Sequence, residues 1–205
     1  MFTSCNDVKE HTMNVNIKEI AGNWDKGVVL DKHSKYSVIT GQNEQGYNTY
    51  DTVRTDVGEA LFQLKYRSDW NQVQPLAQCL YHNAYHLFEN VGFIVPMAAS
   101  NVRARQPVTE VAQALAQLAG VPCTTHMLLK AAGGVSLKNL NTKQEKVAAI
   151  ANSFSCQEII KKMGRWNVLV IDDLYHTGAS MEAACAALRG YNKINKIYVA
   201  TLTWR

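Results

Sequence analysis

The fold follows from residues 168–180, Val168-Leu169-Val170-Ile171-Asp172-Asp173-Leu174-Tyr175-His176-Thr177-Gly178-Ala179-Ser180. The first four residues are a continuous apolar run, which is typical of a parallel strand buried on both faces. A predicted turn over Asp172–Gly178 leads into a predicted helix over Ser180–Arg189, which Gly190 closes. This order of strand, turn and helix predicts an α/β fold that binds ligands at the carboxyl ends of its strands.

The rest of the chain repeats this alternation of strands and helices. The other predicted strands are short runs of β-forming residues: Val28–Leu30, Tyr36–Thr40, Phe93–Val95, His126–Leu129 and Ile197–Leu202. The other predicted helices carry apolar residues at helical spacing and cover 58–67, Pro75–Phe88, Pro107–Leu118 and Lys143–Ala151. We therefore expect a four- or five-stranded, mostly parallel sheet flanked by helices. We expect one compact unit, with an N-terminal hood in residues 1–90 and the α/β core in residues 91–205.

Composition and charge exclude several classes of protein. The 205 residues are 47% hydrophobic and 19% charged, as in a globular domain, and the net charge of +4 is too small to indicate a dedicated nucleic-acid surface. The sequence contains no run of 18 apolar residues, so we expect no membrane span. The five cysteines form no CxxC pair, and the first residues lack the pattern of a secretory signal. We therefore expect a cytoplasmic protein with reduced thiols and no membrane partner.

The deciding stretch also indicates a chemistry. Small residues and hydroxyls at 176–180, at the start of a helix, offer N–H and O–H donors and the positive end of the helix dipole to a phosphate. The carboxylates of Asp172 and Asp173 would repel that phosphate, so they suit the hydroxyls of an attached sugar or a Mg²⁺ ion. An ordinary turn with an acidic helix cap is the structural alternative. Four β-forming residues, two acids and Thr-Gly-Ala-Ser before a helix together favour a ribose 5-phosphate site.

Residues 168–180 resemble the binding motif for phosphoribosyl pyrophosphate (PRPP) of the type I phosphoribosyltransferases. The resemblance extends to the ComF-like (competence-associated) branch of that family and covers about residues 50–205. The segments that carry it outside the main motif are Thr55–Tyr66, Ile94–Pro96 with Arg103 and Arg105, Gln106–Val108, Gly120–Pro122, Leu129–Lys130, Leu137–Leu140 and Tyr198–Thr203. The resemblance implies a type I phosphoribosyltransferase-like core.

It also implies a role for each matching position. Asp172 and Asp173 would be the catalytic pair that holds the ribose hydroxyls. The 5-phosphate would be bound by Tyr175, His176, Thr177, Gly178, Ala179 and Ser180. The pyrophosphate would face a loop containing Met97, Ala98, Ala99, Ser100 and Arg103, with further positive charge from Arg105, Lys130 and Lys65. Residues 130–141 would form a lid over the site.

The implied activity is transfer of a phosphoribosyl group from PRPP, with Mg²⁺ carried by PRPP, to a nitrogen acceptor that the sequence does not identify. The chain departs from the family at His176, where threonine is frequent, and it lacks the four-cysteine zinc finger of many ComF-like proteins. With only Cys5 near the N-terminus, we expect no protein-bound zinc. A non-catalytic PRPP- or nucleotide-binding regulator, linked to DNA uptake or processing, is the alternative function. Nucleic acid and a second copy of the chain are left open as partners.

Overall fold

A computed structural model of the chain describes residues 13–99, 103–131 and 153–205. Its strands are β1 (Lys18–Glu19), β2 (Lys26–Lys32), β3 (Ser34–Gln42), β4 (Asn48–Arg54), β5 (Val91–Pro96), β6 (Leu128–Lys130), β7 (Phe154–Cys156), β8 (Trp166–Tyr175) and β9 (Ile194–Trp204). Its α-helices are α1 (Asp56–Tyr66), α2 (Val73–Asn83), α3 (Pro107–Ala119) and α4 (Ala179–Arg189). Two short 3₁₀ segments cover Trp70–Gln72 and Tyr85–Leu87.

The described strands form a central five-stranded sheet in the order β1-β2-β9-β8-β5. All pairs in this sheet are parallel except β1 with β2, which is antiparallel. The predicted α/β class with a mostly parallel sheet is therefore confirmed. Strands β3 and β4 form a separate antiparallel hairpin, and β6 pairs with β7 outside the central sheet.

Both faces of the central sheet are covered, as the continuous apolar run of β8 predicts. Successive side chains of a strand point to opposite faces. Leu169 and Ile171 accordingly belong to the core beneath α1, α2 and α3. Val168 and Val170 belong to the opposite core, which packs against α4 and the short strands β6 and β7. All four side chains are fully buried, so the middle of β8 fixes the position of the residues that follow it.

Local sequence signals explain where the helices begin and end. The side chain of Thr55 accepts a hydrogen bond from the Gly58 N–H and caps α1. Helix α3 starts at Pro107, which needs no N–H partner in the first turn, and ends at Gly120 in the left-handed conformation (φ 67°). Gly58 also lets α1 lie close to the sheet, because a Cβ there would collide with the backbone carbonyl of His33.

Several predictions differ from the structure. Strand β2 lies within the segment predicted as a hood, yet it occupies the central sheet beside β9. The predicted strand His126–Leu129 corresponds to the short strand β6, which among the described residues pairs with β7 and lies outside the central sheet. The predicted helix Pro75–Phe88 ends at Asn83, and a 3₁₀ turn follows. The predicted helix Lys143–Ala151 lies outside the described residues.

Candidate active site

The candidate site opens where β5 ends and β8 continues. The last pairing of these strands joins Pro96 to Ile171, and the Met97 N–H donates to the Ile171 carbonyl at 2.8 Å. Beyond Ile171, β8 has lost this neighbour, so its next residues border a cleft of about 310 Å³ at the carboxyl end of the sheet. The cleft is lined by Lys65, Met97, Ala98, Ala99, Arg103, Gln106, Pro107, Val108, Thr109, Lys130, Phe154, Asp172, Asp173, Leu174 and Ser180.

Asp172 and Asp173 lie inside β8, which corrects the prediction that a turn begins at Asp172. Strand β8 continues to Tyr175 because β9 still pairs with it, matching Asp172 to Thr201 and Tyr175 to Trp204. Adjacent strand residues point to opposite faces, so Asp173 faces α1 and Asp172 faces the α4 side. The two carboxylates therefore border the same cleft from different sides of the strand.

Asp173 is held at both its side chain and its main chain. The Lys65 Nζ lies 2.6 Å from Asp173 Oδ2, and the two side chains are only 24% and 16% exposed. The Thr203 hydroxyl donates to the Asp173 carbonyl oxygen at 2.9 Å. Because that bond uses the only proton of the hydroxyl, His33 Nδ1, 3.4 Å from Thr203 Oγ1, is assigned as a donor to it. The acid that faces α1 is thus fixed before any ligand arrives.

Asp172 has a different electrostatic environment. Burial, together with the negative charge of Asp173, raises the pKa of the Asp172 carboxyl to about 7. The Asp173 N–H donates to Asp172 Oδ1 at 2.8 Å and only partly opposes this rise in pKa. The two acids therefore differ: Asp173 is paired with a lysine, whereas the Asp172 carboxyl has its pKa raised into the neutral range.

The predicted phosphate turn leads directly into α4. Gly178 caps the helix with φ 81°, a left-handed conformation that favours glycine, and a Cβ there would lie 2.9 Å from the Tyr175 hydroxyl. His176, Thr177 and Ser180 are exposed, and Ser180 borders the cleft. The first N–H groups of α4 have no acceptor within the helix, so this end of α4 is suited to an anion.

Tyr175 is directed away from the cleft. Its ring packs edge-to-face against Trp24, with centroids 6.4 Å apart, and its hydroxyl lies 3.5 Å from the Ala21 carbonyl, to which it donates. These contacts hold the segment before β2 against the end of β8. A direct phosphate contact from the Tyr175 side chain stays a prediction, while its packing beneath Gly178 is observed.

The predicted cations separate into two groups. Lys65, Arg103 and Lys130 line the cleft. Arg105 lies outside the lining: its guanidinium is 2.6 Å from the carboxylate of Glu110 and stacks over the Trp70 ring at 4.0 Å. Their spacing in the sequence predicts that Arg103 and Arg105 both face the pyrophosphate, but the structure directs the two side chains to different neighbours.

Sequence reasoning missed one wall of the cleft. Gln106, Pro107, Val108 and Thr109 place the start of α3 at the site, so a second helix N-terminus faces the cleft in addition to α4. Pro107 predicts that a helix starts here, but no local signal shows which cavity that start faces. Phe154 and Leu174 add apolar surface to the same cleft.

Some predicted features lie outside the described residues, namely Ser100 of the pyrophosphate loop, Cys5 and residues 132–141 of the lid. Within the ranges that the structure describes, no group of three or more His, Cys, Asp and Glu side chains is placed to hold a metal ion. No helix in those ranges is long and apolar enough to cross a membrane.

Comparison with known proteins gives similar structures but no similar sequence. No protein-family model matches the chain, and no curated protein matches it. One similar structure is an adenine phosphoribosyltransferase from Saccharomyces cerevisiae, with 16% identity, a TM-score of 0.44, and coverage of 82% of this chain and 83% of that one. Another is the adenine phosphoribosyltransferase of Thermoanaerobacter pseudethanolicus, with 15% identity, a TM-score of 0.40, and coverage of 83% and 95%. A UMP synthase from Leishmania donovani has 15% identity and a TM-score of 0.39; the match covers 80% of this chain and 27% of that one.

Proposed function

We propose that the chain is a PRPP-dependent phosphoribosyltransferase that displaces pyrophosphate from ribose C1 with a nitrogen acceptor. One observation carries this proposal: a single cleft is lined by the Asp172–Asp173 pair, by Ser180 at the start of α4, and by three cationic side chains. Carboxylates, a helix N-terminus and separate cations are the groups that a phosphorylated sugar with a second, charged phosphate group requires.

The ribose 5-phosphate half of the ligand matches β8 and α4. The phosphate would accept hydrogen bonds from the free N–H groups of α4 and from the hydroxyls of Thr177 and Ser180. The ribose hydroxyls would donate to Asp172 and Asp173. These two acids lie near the end of β8, a few residues before the start of α4. The order of these groups along one chain segment matches the order of groups in ribose 5-phosphate.

The pyrophosphate half would lie across the cleft, toward β5 and α3. Arg103 and Lys130 border this part, together with the N-terminus of α3 at Pro107–Thr109. Cations and unpaired helix N–H groups stabilise a leaving group on which negative charge develops. Helix α3 therefore adds a second source of leaving-group stabilisation to the cations predicted from the sequence.

The reaction needs little covalent work from the protein. The acceptor nitrogen forms a bond to C1 while the bond from C1 to the pyrophosphate oxygen breaks and its electron pair leaves with the pyrophosphate. The acceptor's proton goes to solvent or to a nearby base. The side chains bind both ends of PRPP, orient C1 toward the acceptor and neutralise the leaving group.

The acid pair is suited to hydroxyl groups and to a metal that arrives with the substrate. Only two carboxylates border the cleft among the described residues, and Lys65 already neutralises one of them. We therefore propose that Mg²⁺ enters bound to PRPP, where it offsets phosphate charge. The ComF-like assignment and a cytoplasmic location are proposed from the sequence, a second copy of the chain stays open as a partner, and the acceptor is unassigned.

Calorimetric titration with PRPP and Mg²⁺, followed by a pyrophosphate-release assay with nucleobases or ammonia, tests the proposal. We expect wild type to bind PRPP and Asp173→Asn to bind at least about tenfold more weakly, because hydrogen bonds to a charged group contribute about 1.5–3 kcal/mol. Asp51→Asn, on the exposed β3–β4 hairpin, is the matched control and should bind as wild type does. Absence of PRPP binding by wild type would contradict the proposal. Binding without release for any acceptor would favour the regulator.

A further inference from the structure

Lys65 makes a contact that its predicted role as a pyrophosphate cation does not explain. Its Nζ is 2.6 Å from Asp173 Oδ2, in a position where both side chains are mostly shielded from water. Withdrawing the ammonium toward a pyrophosphate would leave a partly buried carboxylate without its counter-ion, which is strongly unfavourable. The ion pair thus opposes any movement of Lys65 away from the acid pair.

The ion pair leaves Asp173 able to bind a ligand. An ionised carboxylate has two oxygens and about four lone-pair positions. Lys65 contacts Oδ2, so Oδ1 is available to accept a hydrogen bond from a ribose hydroxyl. With its main-chain carbonyl held by Thr203, Asp173 has its orientation fixed from two directions.

Two cationic side chains other than Lys65 also border the cleft. Arg103 borders the cleft and its Nη1 donates to the Lys65 carbonyl at 3.4 Å, so its guanidinium lies beside the end of α1. Lys130 enters the cleft from β6, on the far side of β8 from α1. Arg103 and Lys130 thus place positive charge in the cleft in addition to the Lys65 ion pair.

We propose that Lys65 is a positioning residue that acts through Asp173 on the ribose hydroxyls, and not a ligand of the pyrophosphate. Its ammonium holds the Asp173 carboxylate in place through Oδ2 while a ribose hydroxyl donates to Oδ1. This inference rests on the proposed function, because it assumes that the cleft binds a phosphorylated ribose. It assigns the N-terminal helix α1 to the sugar half of the site.

Two partial ligands separate the two roles of Lys65. Calorimetry with ribose 5-phosphate reports the sugar half of the cleft, and calorimetry with inorganic pyrophosphate reports the other half. For Lys65→Met we expect ribose 5-phosphate affinity to fall about tenfold or more, since charge-assisted hydrogen bonds are the strong ones, and pyrophosphate affinity to stay within about twofold. Lys65→Arg keeps the charge and should restore most of the ribose 5-phosphate affinity.

Matched variants control for the loss of one positive charge. Lys130→Met removes one positive charge from the same cleft and should weaken the binding of pyrophosphate more than the binding of ribose 5-phosphate. Lys196→Met removes a charge from an exposed pair with Glu89, 3.3 Å away, and should change neither affinity. Thermal unfolding of each variant checks folding. If Lys65→Met does not fold, Lys65→Gln, which retains a hydrogen-bond donor without the charge, replaces it.

The outcomes distinguish this inference from the proposed function. Unchanged ribose 5-phosphate affinity in folded Lys65→Met would overturn the inference and leave the transferase proposal standing. A loss confined to pyrophosphate would also overturn it, because Lys65 would then contact the leaving group. Wild type that binds neither ligand would overturn the proposed function and this inference together.

Discussion

Lys65, in the last turn of α1, forms an ion pair with Asp173, near the end of β8, with 2.6 Å between Nζ and Oδ2. The pair joins an N-terminal helix to the strand that carries the predicted substrate-binding acids. It lies at the border of the cleft, and both of its side chains are less than one-quarter exposed. The α1 helix is thereby part of the candidate site as well as part of the core.

This relationship makes a prediction about stability. Lys65→Met leaves the Asp173 carboxylate partly buried and unpaired, so we expect the free energy of unfolding to fall by about 1–3 kcal/mol. The double variant Lys65→Met/Asp173→Asn should lose less than the sum of the two single variants, because the neutral amide needs no counter-ion. Urea unfolding of the four proteins measures this coupling. If the effects of the two single variants simply add, the ion pair between Lys65 and Asp173 does not contribute to the free energy of unfolding.

The Asp172 carboxyl predicts a dependence of stability on pH. Its pKa is raised to about 7 in the folded chain, so its protonated form is favoured by folding. Its contribution to stability is therefore complete below the unfolded pKa of about 4 and is lost as the pH rises through about 7. Asp172→Asn has no such titration.

Urea unfolding at pH 5 and pH 8.5 measures this effect. Between these pH values we expect the stability of Asp172→Asn relative to wild type to increase by about 1–3 kcal/mol, since one unit of pKa shift corresponds to about 1.4 kcal/mol. Asp51→Asn should show no comparable change. Parallel pH profiles of wild type and Asp172→Asn would show that this carboxyl ionises normally.

Gly178 and Gly46 form a matched pair for testing the phosphate turn. Both have φ 81°, but a Cβ at Gly178 would meet Tyr175 whereas one at Gly46 meets nothing within 4 Å. Alanine at either position should cost about 1–2 kcal/mol of stability through the left-handed backbone. Only Gly178→Ala should also weaken the binding of ribose 5-phosphate, by about tenfold, since it shifts the backbone N–H donors at the start of α4. Equal affinity of both variants for ribose 5-phosphate would show that this turn does not bind the phosphate.

Arg103 and Arg105 should differ in their contribution to pyrophosphate binding, although they are only two residues apart. Arg103 borders the cleft, so Arg103→Met should weaken inorganic pyrophosphate by about tenfold, because a charge-assisted contact is lost. Arg105 is engaged by Glu110 and Trp70, so Arg105→Met should leave pyrophosphate affinity within about twofold. Calorimetry with pyrophosphate makes the comparison. A larger effect from Arg105→Met would show that its guanidinium turns into the cleft when the ligand binds.

The acid pair illustrates how far local sequence reasoning reaches. The run of apolar residues before Asp172 predicts a buried strand, and the structure has one. The sequence predicts that this strand ends at Ile171, four residues before its observed end at Tyr175. Pairing with β9 continues through Tyr175 and extends the strand, and the register of a distant partner strand is not encoded in residues 168–180.

The sequence by itself determined the elements whose signals are local. These are the buried run of β8, the start of α3 at Pro107, the start of α4 to within one residue of Ala179, and the α/β class that follows from their alternation. These signals are local because backbone sterics and side-chain period act over a few residues. Only the tertiary structure decided that β2 joins the central sheet, that Lys65 meets Asp173, and that Arg105 stacks over Trp70. Those contacts join segments whose relative placement depends on how whole helices and strands pack, and the spacing of residues along the chain does not specify that packing.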